Sequence, residues 1–151
     1  MFWDKPSVQS QSGKAKHKRL KIGLEKSCTM TEEYFFDTYA IFEIVGGNQA
    51  YNKYLNKTIV LTKLNIFELF HNALRDLSEE KANNLIEEYY PLVVDYNKRT
   101  IEEACKLKLQ HKKRNLSMTD CIGYIVAKNL GIKFLTGDKE FENLDNVEFI
   151  K

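Results

Sequence analysis

From residue 33 onward the chain alternates short apolar runs with longer stretches in which apolar residues recur every three or four positions. E-Y-F-F-D (33–37) predicts a first strand, and the following T-Y-A-I-F-E-I-V predicts a helix stopped by Gly46 and Gly47. A short helical piece runs through Tyr51 and Tyr54. T-I-V-L-T (58–62) is β-branched and apolar at its centre, the pattern of a strand buried on both faces. In N-I-F-E-L-F-H-N-A-L-R-D-L (65–77), Ile66, Leu69, Phe70, Ala73, Leu74 and Leu77 share one helical face. Ser78, followed by Glu79 and Glu80, caps a further helix that ends at Pro91. L-V-V (92–94) predicts a third strand, 98–112 a polar helix and 117–130 a helix closed by Gly131. I-K-F-L-T (132–136) and V-E-F-I (147–150) predict a fourth and a fifth strand. Strands separated by helices imply βαβ crossovers. The expected class is therefore α/β, three layers around a five-stranded, mainly parallel sheet.

Composition narrows the picture. Eight Tyr, nine Phe and one Trp within 151 residues, 43% of them hydrophobic, supply a core and exclude a largely disordered chain. Only seven Gly and two Pro argue against a turn-dense all-β fold. The formal charge of +2 conceals an asymmetry. Residues 1–29 carry +5 and lack sustained periodicity, so they are expected to form a basic flexible tail or leader beside one domain over 30–151. Residues 30–151 carry −3. Cys28, Cys105 and Cys121 are widely spaced, and His17, His71 and His111 lie far apart, so no disulfide framework or zinc motif emerges. No apolar run approaches the ~18 residues of a membrane span, and M-F-W-D-K-P lacks a signal-peptide stretch. A cytoplasmic protein is expected.

Candidate chemistry lies in the acids. Ligands of an open parallel sheet bind beyond the carboxyl ends of its strands. Asp37 closes the first strand, and Asp138 follows the fourth in F-L-T-G-D. Asp120 falls in the first turn of the helix before that strand, and Glu68 in the first turn of the helix after the second. Each also has a structural reading. Asp37 caps the helix from Thr38, Asn65 with Glu68 and Ser117 with Asp120 fit capping boxes, and Asp138 fits a turn beside Gly137. Together, four carboxylates would repel unless a cation neutralised them. An oxygen-only set suits Mg²⁺ or Mn²⁺, ions that support phosphoryl chemistry.

The segments F-F-D-T-Y-A, N-I-F-E-L, S-M-T-D-C-I-G-Y-I-V-A-K-N-L-G and F-L-T-G-D-K-E-F resemble, in order and spacing, the PIN-domain nucleases, and in particular the small VapC-type ribonuclease toxins. The resemblance covers 33–151. It implies a Mg²⁺- or Mn²⁺-dependent endoribonuclease with catalytic acids at Asp37, Glu68, Asp120 and Asp138. Asp37, Asp120 and Asp138 would meet the metal, and Glu68 would be a ligand or orient the attacking water. Glu140 stands where many relatives carry another acid, a position for a second metal. Thr38 and Thr136 would hold the carboxylates in place. The resemblance further implies 5′-phosphate products, a homodimer and an inhibiting antitoxin protein. Leu69, Phe70, Leu74 and Leu77 lie where such an interface could form, although core packing explains them equally well.

Lys106, Lys108, His111, Lys112, Lys113 and Arg114 crowd nine residues. They read either as a solvated face or as an RNA-contacting edge, with Lys108, Lys112, Lys113 and Arg114 the candidate phosphate contacts. Two other readings compete. One is a phospho-acceptor signalling domain using Asp95 after L-V-V, which lacks the expected acidic pair and closing Lys. The other is a non-catalytic scaffold of the same fold that binds RNA or protein.

Overall fold

The computed structural model describes residues 32–151, so the expected tail over 1–29 lies outside the described residues. Four parallel strands, β1 (Glu33–Phe36), β2 (Thr58–Val60), β3 (Lys133–Thr136) and β4 (Val147–Phe149), lie in the order β2-β1-β3-β4. The helices are α1 (Thr38–Val45), α2 (Lys63–Asp76), α3 (Glu79–Tyr89), α4 (Lys98–Gln110) and α5 (Met118–Leu130), with 3₁₀ turns at Gln49–Tyr54 and Tyr90–Leu92.

Alternation along the strands builds two cores. Phe36, Leu61 and Leu135 point to the side covered by α1, α2 and α3, whereas Phe35, Val60 and Phe134 point to the side of α4 and α5. With both faces covered, the strand centres must be apolar, which is why F-F, V-L and F-L stand there. Gly123 lets α5 lie flat on the sheet. A Cβ there would meet the Phe35 ring at 2.4 Å.

The expected third strand at 92–94 is corrected. It contributes one parallel bridge, Val93 to Leu61, in which the Leu61 N–H donates to Leu92 C=O and the Val94 N–H to Leu61 C=O. Pro91 sits in a 3₁₀ turn just before it, and β2 gives way at Thr62, the N-cap of α2, so little extended backbone remains on either side. The sheet thus has four strands rather than five. The start of α2 is also earlier than expected. Thr62 and Asn65 form the capping pair, with Asn65 Oδ1 accepting from the Thr62 N–H at 3.0 Å and its hydroxyl at 2.7 Å, so Glu68 lies in the second turn. Leu74 and Leu77, expected on the apolar face, are exposed, whereas Ile66, Leu69 and Ala73 are buried.

Candidate active site

β1 is the first strand laid down, β2 adds on one side and β3 on the other, so strand order reverses between β1 and β3. A crevice opens beyond their carboxyl ends. Asp37, Glu68, Asp120, Asp138 and Glu140 all line one cleft of about 610 Å³ there.

Asp37 follows β1 directly and is 4% exposed. It does two things at once. Its Oδ1 accepts the Tyr39 N–H at 3.4 Å, capping α1, while Oδ2 accepts the Thr136 hydroxyl at 2.6 Å. Thr136, fully buried at the end of β3, also accepts the Asp138 N–H at 3.0 Å. Asp138 Oδ1 in turn accepts the Glu140 N–H at 2.9 Å. One hydroxyl therefore ties the acid after β1 to the acid after β3.

Asp120 stands in the first turn of α5, where Ser117 caps the helix by accepting the Asp120 N–H and donating its hydroxyl to Asp120 Oδ2. Across the cleft, Glu68 Oε2 accepts the Thr38 hydroxyl at 3.1 Å, and Thr38 Oγ1 accepts from Asn65 Nδ2 at 3.3 Å. The Thr119 hydroxyl also hydrogen-bonds Glu68. Asn65 and Ser117 were expected only as capping residues, and Thr119 was not singled out, although each lies within three residues of a candidate acid.

Burial pushes the Asp37 carboxyl well above the ordinary range, and the charge of Asp120 beside it acts the same way. Burial likewise raises Glu68 and Asp138, with Asp120 adding to both. None of the ion pairs among the described residues involves these five acids. The cluster has the electrostatics of carboxylates gathered without a compensating base.

These residues suit a hard cation by donor chemistry, since the acids and their threonines present oxygen alone. Among the described residues, no group of three or more His, Cys, Asp or Glu side chains is closed around a metal position. Mg²⁺ does not require such a cage, because it binds through one or two carboxylates and retains waters. Asp37, buried after β1, and Asp120, whose charge acts on it, are the pair that fits this mode.

The basic cluster divides. Arg114 reaches across to the loop after β3 and donates to the Glu140 C=O and, at 3.3 Å, to the Glu142 C=O. The Asn115 N–H donates to Glu140 Oε2 at 3.2 Å, and Lys108 Nζ donates to the Leu116 C=O. Lys106, Lys112 and Lys113 are exposed. Asp95 lies away from the cleft in an exposed pair with Lys63 at 3.1 Å, so it does not occupy a phospho-acceptor position at a strand end. No helix among the described residues is long and apolar enough to cross a membrane.

Comparison with solved structures finds the same fold. A toxin–antitoxin complex from Klebsiella pneumoniae aligns with a TM-score of 0.62 at 16% identity, covering 76% of this chain and 95% of that one. DNA-bound VapBC from Salmonella typhimurium gives 0.59 at 19%, covering 79% and 97%. VapBC-1 from nontypeable Haemophilus influenzae gives 0.60 at 20%, covering 78% and 96%. Among curated proteins the sequence finds no significant match. The PIN domain family model matches residues 34–147, the span that contains both cores and all five cleft acids, and the chain accordingly belongs to the PIN-domain family.

Proposed function

We propose that this protein is a Mg²⁺- or Mn²⁺-dependent endoribonuclease. The observation that carries the reading is the convergence of Asp37, Glu68, Asp120 and Asp138 on one cleft at the sheet's switch point, with no ion pair among the described residues to offset them. Such a cation, when bound, neutralises charge on the scissile phosphate and lowers the pKa of a water. The chain's own residues supply position and proton transfer. Asp37 and Asp120 face each other as the metal-holding pair. Asp138 completes the rim, held by Thr136 and by its bond from the Glu140 N–H. Glu68, steadied by Thr38 and Thr119, orients the attacking water and takes its proton. The water oxygen would bond to phosphorus as the bond to the 3′ oxygen breaks in line, the leaving oxygen taking a proton from solvent, to give a 5′-phosphate and a 3′-hydroxyl. Exposed Lys106, Lys112 and Lys113 attract the polyanion.

The three complexes described above are named for toxins with antitoxins, or as VapBC, and this supports an antitoxin protein as partner here. Exposed Leu74 and Leu77 on α2 and its C-cap offer apolar area to a partner chain or to a second copy. The test is cleavage of RNA with added Mg²⁺ or Mn²⁺. Wild type should cut, EDTA should stop it, and Asp37→Asn should lose at least a hundredfold. Equal activity of the two proteins, or activity that survives EDTA, overturns the proposal. A non-catalytic PIN scaffold is the competing outcome, and RNA binding without cleavage would select it.

A further inference from the structure

The most exposed aromatic ring among the described residues stands at the cleft. Phe67 is 71% exposed, although Ile66 beside it and Leu69 two positions on are buried. Its ring stacks on the imidazole of His71 one helical turn later, with centroids 6.2 Å apart and planes within 9°. Both side chains line the same cleft as Asp37, Glu68, Asp120 and Asp138. Successive side chains on a helix diverge by about 100° with a rise of 1.5 Å. Phe67 and Glu68 therefore stand at one level of α2, the carboxylate turned to Thr38 and Thr119 and the ring to open solvent.

We propose that Phe67, backed by His71, is the stacking platform for an unpaired nucleobase beside the scissile phosphate. This rests on the ribonuclease reading above. A flat aromatic face accepts any base, because every base has a π-face, and it does so only when the base is unstacked from its own strand. Tyr39 and Phe42 also line the cleft but are half-buried, so Phe67 is its one exposed Phe or Tyr ring, and with polar Asn72 and Asn115 beside it the surface suits one planar ligand better than a broad apolar contact. Among the tyrosines, Tyr51, Tyr54 and Tyr89 are buried, and Tyr39, which lines the cleft, is half-buried, so neither set presents a ring there as Phe67 does. Substrates are accordingly single-stranded segments or loops rather than paired RNA.

The experiment uses the full chain with single-stranded RNA oligomers, first to map the cut and then with an abasic nucleotide beside it. Phe67→Ala should raise KM about 5- to 150-fold, with kcat within about twofold, and Phe67→Tyr should restore KM. On the abasic RNA, wild type and Phe67→Ala should converge. An unchanged KM in Phe67→Ala assigns the ring to a protein contact and overturns the proposal, as does an equal abasic penalty in both proteins. Thermal melting checks the fold, which an exposed ring should scarcely affect. Binding gives a readout independent of cleavage. Oligomers carrying 2-aminopurine at successive positions should be quenched by Asp37→Asn and not by the Asp37→Asn, Phe67→Ala double variant. If wild type cuts no RNA, the ribonuclease reading fails, and this quenching still decides the platform.

Discussion

Asp37 is an acid placed where an acid is electrostatically unwelcome. It is buried, raised in pKa by that burial and by Asp120, and held by the Thr136 hydroxyl and the Tyr39 N–H. Asn at this position keeps an oxygen for one of those donors and turns an amide donor toward Asp120. Asp37→Asn should therefore melt higher than wild type in the absence of metal at pH 7, by a few degrees, while losing cleavage. The pH dependence has a defined sign. Folded pKa values above the unfolded ones at Asp37, Glu68 and Asp138 mean that the folded state binds more protons. That stabilisation is present at low pH and is lost as pH rises through the folded values. The metal-free protein should gain stability as pH falls from neutral toward about 4, with a shallower slope in Asp37→Asn. A series of chemical denaturations across pH checks both. All four acids stood out in the sequence, and Asn65 as a capping residue, whereas the bond from Asn65 to Thr38 and the contact of Thr119 with Glu68 did not, because each joins two helices that meet only in the fold.

Elements position these side chains through contacts that local sequence only partly announces. Gly123 reads as a weak spot in a helix, yet it is the point where α5 touches β1. The Phe35 ring it faces is fully buried and stacked on Phe134 with centroids 5.8 Å apart, so it has little room to yield. Gly123→Ala should cost about 1–3 kcal/mol of stability by denaturant titration despite the better helix propensity of Ala. Arg114 reads as an RNA contact, and the structure also makes it a clamp between the approach to α5 and the loop after β3. Arg114→Ala should speed hydrogen exchange at the Phe141, Glu142 and Leu144 amides, which donate within that loop. Unchanged exchange would return Arg114 to the phosphate-contact reading. Secondary structure itself was largely legible, with Ser78, Ser117 and Gly131 capping as expected. The error at 92–94 arose because three apolar residues suit a strand or a loop anchored by one bridge, and only the early turn into α2 decides between them.

Across the whole molecule, the −3 of residues 30–151 includes the four candidate acids, so setting them aside leaves +1. That residual positive charge includes Lys106, Lys112 and Lys113, all exposed and in none of the ion pairs among the described residues. If Lys112 and Lys113 each meet a phosphate of single-stranded RNA, replacing both with Ala should flatten the slope of log affinity against log salt by about 1.4. Fluorescence anisotropy over a salt series measures it, and an unchanged slope removes both from the interface. By itself the sequence determined the α/β class, the helices with the caps at Ser78, Ser117 and Gly131, and the four acids as candidates, because periodicity, capping chemistry and residue type are local properties. Tertiary structure alone decided which strand lies beside which, and hence that the acids after β1 and β3 are joined through one threonine. It also decided that Phe67 is left in solvent while Ile66 is buried. Both depend on pairings between residues as far apart as Asp37 and Thr136, and the chain must close on itself before either exists.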